Sequence, residues 1–163
     1  MTAISCDTLR GMALTDQLRS AGIVLPPVSG PFGAYVPAKR VGNLIYVAGQ
    51  IPMKDGKIMA VGQVPSRRSI EDASAAARQC AINALAALQM IDGGIDILTG
   101  VARVGVFVSS DASFTDQPRI ANAASEFFME VFGDAGKHAR AAVGVNTLPR
   151  DASVEVEVIF EAR

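Results

Sequence analysis

Ser153-Val154-Glu155-Val156-Glu157-Val158-Ile159-Phe160 alternates with a period of two. Successive side chains of a pleated strand point to opposite faces, so Val154, Val156, Val158 and Phe160 share one side and Glu155 and Glu157 the other. Such a strand needs a core on one face only. Before it, Ala139 to Thr147 reads as extended and Leu148-Pro149-Arg150-Asp151 as a turn, so a closing hairpin is expected. Its register puts Val145 opposite Val154, Val143 opposite Val156 and Arg140 opposite Ile159. Arg140, Ala142 and Gly144 then share a face with Glu155 and Glu157.

Working back along the chain, Val101 to Ser109 alternates as well, with Val104, Val106 and Val108 on one side. Thr115 or Asp116 opens a helix with Pro118 in its first turn, Gly133 beyond its end, and Ile120, Ala124, Phe127, Phe128 and Val131 on its buried side. A second long helix starts at Ser69, whose hydroxyl is followed three residues later by Asp72. It runs to about Ile91, with Ala73, Ala77, Cys80, Ala84, Leu88 and Ile91 forming a mostly small face suited to close approach on a sheet. Tyr35 to Val41 and Leu44 to Ile51 flank Gly42-Asn43 as a hairpin, and Asp55-Gly56 turns into the short strand Lys57-Ile58-Met59. Ahead of these, Cys6 to Ile23 reads as a short amphipathic helix capped by Asp7 and ended by Gly22. Terminal hairpins argue against a doubly wound sheet, and two long helices argue against a sandwich. The expected fold is α+β, one mixed sheet with two long helices on a single face.

The length of 163 residues suits one domain, 1–163, with a helical extension over 1–28 and a core over 30–163. Half the residues are hydrophobic and 19% charged, which excludes wholesale disorder. A formal charge of −1 and no basic stripe argue against a nucleic-acid partner, whose phosphates need neutralising. Cys6 and Cys80 are expected to be reduced structural thiols, and with His138 they are too few soft ligands for a zinc site, so no metal is expected. No stretch approaches the ~20 apolar residues of a membrane span and the leading residues lack an apolar signal core, so a cytoplasmic protein without membrane contact is expected.

The face that the helices leave uncovered admits two readings. Arg140 and the glutamates there form solvated ion pairs worth about 0–1 kcal/mol. Alternatively, Ala142 and Gly144 leave room beside one guanidinium, a setting in which a small carboxylate is held bidentately while Glu155 positions or deprotonates a water. Spacing leaves both open.

Several segments together resemble the reactive intermediate deaminase family, also called YjgF or L-PSP-like. They are Gly30-Pro31-Phe32, Gly42 through Pro52, Arg78-Gln79 with Asn83, Val106-Phe107-Val108, Asn122 with Glu126 and Phe128, and Ala139-Arg140 through Leu148-Pro149 to Glu157. They run in family order over residues 30–160. The N-terminal helix and the Gly133–His138 connection are similar to a longer bacterial subgroup labelled endoribonuclease or chorismate-mutase-like.

The resemblance implies a chorismate-mutase-like fold and a homotrimeric barrel with ligand clefts between subunits. It implies hydrolysis of 2-imino or enamino acids, such as 2-aminoacrylate and 2-iminopropanoate, to a 2-oxo acid and ammonia without cofactor. The carboxylate-binding arginine falls on Arg140 and the water-associated glutamate on Glu155; Phe32, Gly49, Asn122 and Ala142 line the cleft. Two positions depart from many active members: Phe32 stands in place of Tyr, and Ala48 in place of Ser. Each change removes a hydroxyl and makes the pocket more apolar; Tyr35 is a candidate replacement for the phenol. Alternatives are a deaminase of a ring-cleavage enamine such as 2-aminomuconate and a non-catalytic binder of small carboxylates. Ribonuclease activity fits the residues least. His138 reads either as a base beside Arg140 or as an exposed loop imidazole.

Overall fold

The computed structural model of the protein describes residues 13–28 and 34–163. Cys6, the Asp7 cap and Gly30-Pro31-Phe32 lie outside the described residues.

Helix α1 (Leu14–Ser20) is the described part of the leading segment and buries Leu14 and Leu18. It is tied to the body by Thr15, whose N–H donates to Asp96 Oδ1 at 2.9 Å. Strands β1 (Ala38–Val41) and β2 (Leu44–Gln50) pair antiparallel with Val41 beside Leu44, the expected hairpin around Gly42-Asn43. Met53–Lys54 (β3) and Lys57–Ile58 (β4) form a separate ribbon around Asp55-Gly56.

Helix α2 (Ile70–Ala87) is capped as its sequence predicts, the Ser69 side chain accepting from the Asp72 N–H at 3.0 Å. Ala73, Ala77, Cys80 and Ala84 are fully buried along its sheet-facing side. Small side chains bring helix and sheet close and leave the density of the core to Val, Ile and Phe residues from the strands and from the second helix. That helix, α3 (Gln117–Phe132), starts with Pro118 in its first turn and ends at Gly133, whose φ of +59° a β-carbon would disfavour. Strands β5 (Leu98–Ser109), β6 (Ala139–Val145) and β7 (Val154–Ala162) complete a five-stranded sheet of order β1-β2-β7-β5-β6. β5 and β6 are parallel and the other pairs antiparallel, so the sheet is mixed. Val104, Val106, Val108, Val154, Val156, Val158 and Phe160 are buried toward the helices.

The expected closing hairpin does not form. β5 lies between β6 and β7, with Gly105 paired to Glu157 on one side and to Ala141 on the other. Helix α3 returns the chain parallel to β5, so β6 lands on the outer edge of β5. Residues 146–153 then cross the end of β5 to reach β7. That crossing is held by the Ser110 N–H donating to the Val145 carbonyl, the Ser109 N–H to the Ser153 carbonyl and the Ser153 N–H to the Ala60 carbonyl. The face assignment of β6 reverses as a consequence. Arg140, Ala142 and Gly144 align with Val104, Val106 and Val108 on the helix-covered side. Val143, 45% exposed, is on the uncovered side with Glu155 and Glu157. Arg140 therefore pairs with Val104 rather than Ile159, and the ion-pair partner of Glu157 is Arg103, at 2.7 Å.

Candidate functional site

Arg140 sits on the edge strand β6 and reaches over α3. Its Nη1 donates to Asn122 Oδ1 at 2.9 Å and to Ser125 Oγ at 3.1 Å. Asn122 and Ser125 are one helical turn apart, which puts both acceptors on the same face. The two bonds use both Nη1 hydrogens. Among the described residues no protein group takes the Nε–H or Nη2–H donors and no carboxylate pairs with this arginine. The Nε–Nη2 edge is the geometry that receives a carboxylate bidentately. Ala142, the next residue on that side of β6, is half-buried against the core. Gly144 does not leave open space as expected: a β-carbon there would lie 2.7 Å from both Gln117 Nε2 and Ser110 Oγ.

Glu155 occupies the other face. The β2–β7 pairing slips between Val47 and Gln50, and this bulge brings Gly49 against Glu155. A β-carbon at Gly49 would fall on the Glu155 carboxylate, its carboxyl carbon only 2.8 Å away, so a larger residue there would displace the carboxylate from its present position. The bulge is pinned from α2. Buried Gln79 donates to Asn83 Oδ1 at 2.9 Å, and Asn83 Nδ2 donates to the Ile51 and Met53 carbonyls, both at 3.0 Å. These contacts give a structural task to the Arg78-Gln79 and Asn83 positions, where Arg78 also pairs with Glu130 at 2.8 Å. No hydrogen bond to the Glu155 carboxylate occurs among the described residues. Burial, reinforced by the negative charge of Glu157, pushes its pKa above the ordinary carboxylate value. A half-buried carboxylate with a raised pKa is suited to taking and returning a proton.

Beside Glu157 on this face lies an open groove of about 620 Å³ lined by Tyr35, Val36, Lys39, Tyr46 and Ala48 among others. Tyr35, 51% exposed, lines the groove together with Ala48. Phe32 lies outside the described residues.

The structure thus brings Asn122 to Arg140 and Gly49 to Glu155, but places the two pairs on opposite faces of one sheet. The sequence reading did not find Ser125 or the groove residues Tyr46 and Lys39. Ser125 carried a signal, its three-residue spacing from Asn122 on one helix. His138 is half-buried with both ring nitrogens in hydrogen bonds, so it is not the exposed loop imidazole of the second reading. Cys80 is fully buried, and burial first, then the Glu155 charge, pushes its thiol pKa well up, which makes it a poor nucleophile. Among the described residues no three His, Cys, Asp or Glu side chains gather as a metal site, and no helix is long and apolar enough to cross a membrane.

A mixed sheet with both long helices on one side is the arrangement of the chorismate-mutase-like α+β class. Within that class the family model described as "YjgF/chorismate_mutase-like, putative endoribonuclease" matches residues 15–161, and the chain belongs to this family. It is 39% identical to "Protein TCP17" of Trypanosoma cruzi over 145 residues, 88% of this chain and 91% of that protein. It is 31% identical to the "2-iminobutanoate/2-iminopropanoate deaminase" of Dermatophagoides farinae, covering 84% of this chain and 92% of the relative. In three dimensions it is similar to Atu1372 of Agrobacterium tumefaciens, a protein of unknown function, with TM-score 0.83 and 38% identity over 93% of this chain and 94% of the other.

Proposed function

We propose that the protein hydrolyses reactive 2-imino or 2-enamino acids to 2-oxo acids and ammonia, in clefts formed between the subunits of a homotrimer. The observation that carries this reading is the Arg140 guanidinium, tied through Nη1 with its Nε–Nη2 edge unclaimed by any described residue. The name of the Dermatophagoides relative, a 2-iminobutanoate/2-iminopropanoate deaminase, supports the reaction class.

The placement of Arg140 and Glu155 on opposite faces of one sheet supports a site shared between two copies. A neighbour covering the open face would bring its Arg140 edge strand toward Glu155. The same contact would shelter Val41, Tyr46 and Val143, each at least 45% exposed in the single chain. It would also cover the outer edge of β6, which pairs with no strand among the described residues.

The chemistry balances without a cofactor. Water adds to the carbon of the protonated imine as Glu155 accepts one of its protons, giving a neutral carbinolamine. Glu155 returns that proton to the amino nitrogen and takes up the hydroxyl proton as the C–N bond breaks. Ammonia leaves, the carbonyl of the 2-oxo acid forms, and the last proton passes to the released ammonia. Orientation by Arg140 and one proton carrier suffice for this step. Asn122 holds the anchor, and Gly49 allows the backbone to approach the carboxylate.

Ala48 favours an imino acid with a larger or more apolar side chain than iminopropanoate. A ring-cleavage enamine of the 2-aminomuconate type belongs to the same reading. Ribonuclease activity has less support: the net charge is −1, and the single histidine is bound to Ser125 and Gly136.

The test couples the purified protein to an amino-acid oxidase that generates imino acids from alanine, leucine or phenylalanine, with semicarbazide competing for the imine. Faster 2-oxo acid release, greater with leucine or phenylalanine than with alanine, is the expected result. Binding of 2-oxobutanoate with no acceleration would instead define a non-catalytic carboxylate binder.

The Glu155 carboxyl gives a pH prediction. It must be ionised to take a proton, so kcat/KM should rise with pH through an inflection above ~4.3, the ordinary glutamate value. Stability runs the other way. A folded-state pKa above the unfolded one means the folded protein binds the proton more readily, so its stability falls as pH rises through that window. The Tm of wild type relative to Glu155→Gln, followed from about pH 4 to about pH 8, should decline with pH.

A further inference from the structure

A hydrogen-bonded chain that the reaction above leaves unused runs behind Arg140. His138 Nδ1 lies 2.6 Å from the Gly136 carbonyl oxygen, and a carbonyl only accepts, so Nδ1 carries a proton. In the neutral ring Nε2 is then an acceptor, and it lies 3.0 Å from Ser125 Oγ. The Ser125 hydroxyl donates to Nε2 and accepts from Arg140 Nη1 at 3.1 Å. The imidazole is further fixed by the Phe128 ring, edge-on at 6.1 Å. The guanidinium and the only histidine of the chain therefore share one serine oxygen.

We propose that Ser125 and His138 are positioning residues for Arg140: they turn its Nε–Nη2 edge outward and couple the affinity of that edge for a small carboxylate to the charge of the imidazole. This rests on the reading of Arg140 as the carboxylate anchor. With neutral His138 every donor of the chain has an acceptor and Nη1 is locked. With protonated His138, Nε2–H donates to Ser125 Oγ as well, and two cations meet at one oxygen. An anion on the Nε–Nη2 edge offsets that repulsion, so carboxylate binding and imidazole protonation favour each other.

The other charged groups on the elements around His138 are mostly engaged elsewhere. Lys137 pairs with Asp134 at 2.9 Å, Arg78 of α2 with Glu130 of α3 at 2.8 Å, and Arg103 of β5 with Glu157 of β7 at 2.7 Å. Glu126 follows Ser125 on α3, and Glu161 of β7 approaches the Gly100–Ala135 contact. Arg140 is the charge joined to the imidazole through hydrogen bonds.

The test measures 2-oxobutanoate binding by calorimetry from about pH 5.5 to about pH 8, the imidazole range, for wild type, Ser125→Ala, Ser125→Thr, His138→Gln and Arg140→Ala. Imino-acid KM and kcat are followed where turnover is found, and chromatography and melting confirm that each variant folds and assembles. Ser125→Ala is expected to weaken binding about three- to tenfold, with KM rising more than kcat falls, and Ser125→Thr to restore it. Wild type should bind about two- to fivefold more tightly at the acid end than His138→Gln does relative to its own value near pH 8. That difference removes the contribution of Glu155, common to both proteins. The lone histidine also gives an isolated imidazole C–H NMR signal, which 2-oxobutanoate should move in wild type and not in Ser125→Ala. Wild-type affinity and pH dependence in both Ser125→Ala and His138→Gln, with binding lost in Arg140→Ala, would overturn the coupling and leave the anchor intact. Undiminished binding by Arg140→Ala would overturn the anchor and the coupling with it.

Discussion

Arg140→Ala is expected to lower kcat/KM for imino acids by about 30- to 4,000-fold while leaving the fold and assembly intact. The range corresponds to the roughly 2–5 kcal/mol lost when one partner of a hydrogen-bonded charge pair is truncated, at 1.4 kcal/mol per factor of ten. The large effect follows from the small ligand. A six-atom imino acid offers one permanent negative charge and little apolar surface, so the bidentate contact supplies much of its orientation. The small structural cost follows from where the side chain lies. Arg140 is exposed, and its bonds to Asn122 and Ser125 are on the surface of α3, where those two groups can turn to water. Arg140→Lys separates charge from geometry. It keeps the cation but loses the fork, so an intermediate loss of about tenfold is expected. Kinetics with oxidase-generated imines and 2-oxobutanoate binding, measured on the same preparations, check the series. An alanine variant within twofold of wild type in both measurements would remove Arg140 from the reaction.

What the sequence made legible was local. The alternation in Val154 to Phe160, the small face of α2, the Ser69 cap and the two tight turns each depend on residues close in the chain, and each forms. The neighbour of β7 was not legible. Alternation says which side chains share a face of a strand but is silent on which strand lies beside it, and β5 and β6 are both extended and apolar enough to serve. The turn signal at Leu148 to Asp151 is real, with Arg150 and Asp151 at positive φ, yet it belongs to a crossing over the end of β5. The site was legible to a similar depth. Arg140 and Glu155 were singled out, but on one face. Parallel pairing of β6 with β5 moves Arg140 to the helix side, where its partners come from α3. Glu155 meets Gly49 only because of a bulge, whose position depends on Asn83 gripping the chain after β2.

Phe128→Ala is expected to cost about 3–5 kcal/mol of folding stability, the largest effect of any single truncation near the site. The ring is fully buried and sits at the junction of three elements. It lies 5.5 Å from Phe127 on α3, 5.6 Å from Phe160 on β7 in an edge-on contact, and 6.1 Å from His138 before β6. Removing it leaves a cavity between α3 and the sheet beside the Phe127, Phe160 and His138 rings. Those rings are held by their own packing and can fill little of it, which places the cost toward the upper end of the range. Against a total stability of about 5–15 kcal/mol this is a large fraction, so the urea midpoint should fall steeply with an unchanged slope, measured at fixed protein concentration. Phe128→Leu should lose less, because it retains most of the apolar volume and gives up mainly the edge-on contacts, worth about 0.5–1.5 kcal/mol each. His138→Gln isolates the contact with the imidazole. It leaves Phe127, Phe128 and Phe160 packed, so a stability near wild type there, beside a large loss in Phe128→Ala, would assign the cost to the Phe cluster rather than to the imidazole. A loss below about 1 kcal/mol in Phe128→Ala would mean that α3 is fastened to β7 by something other than this ring.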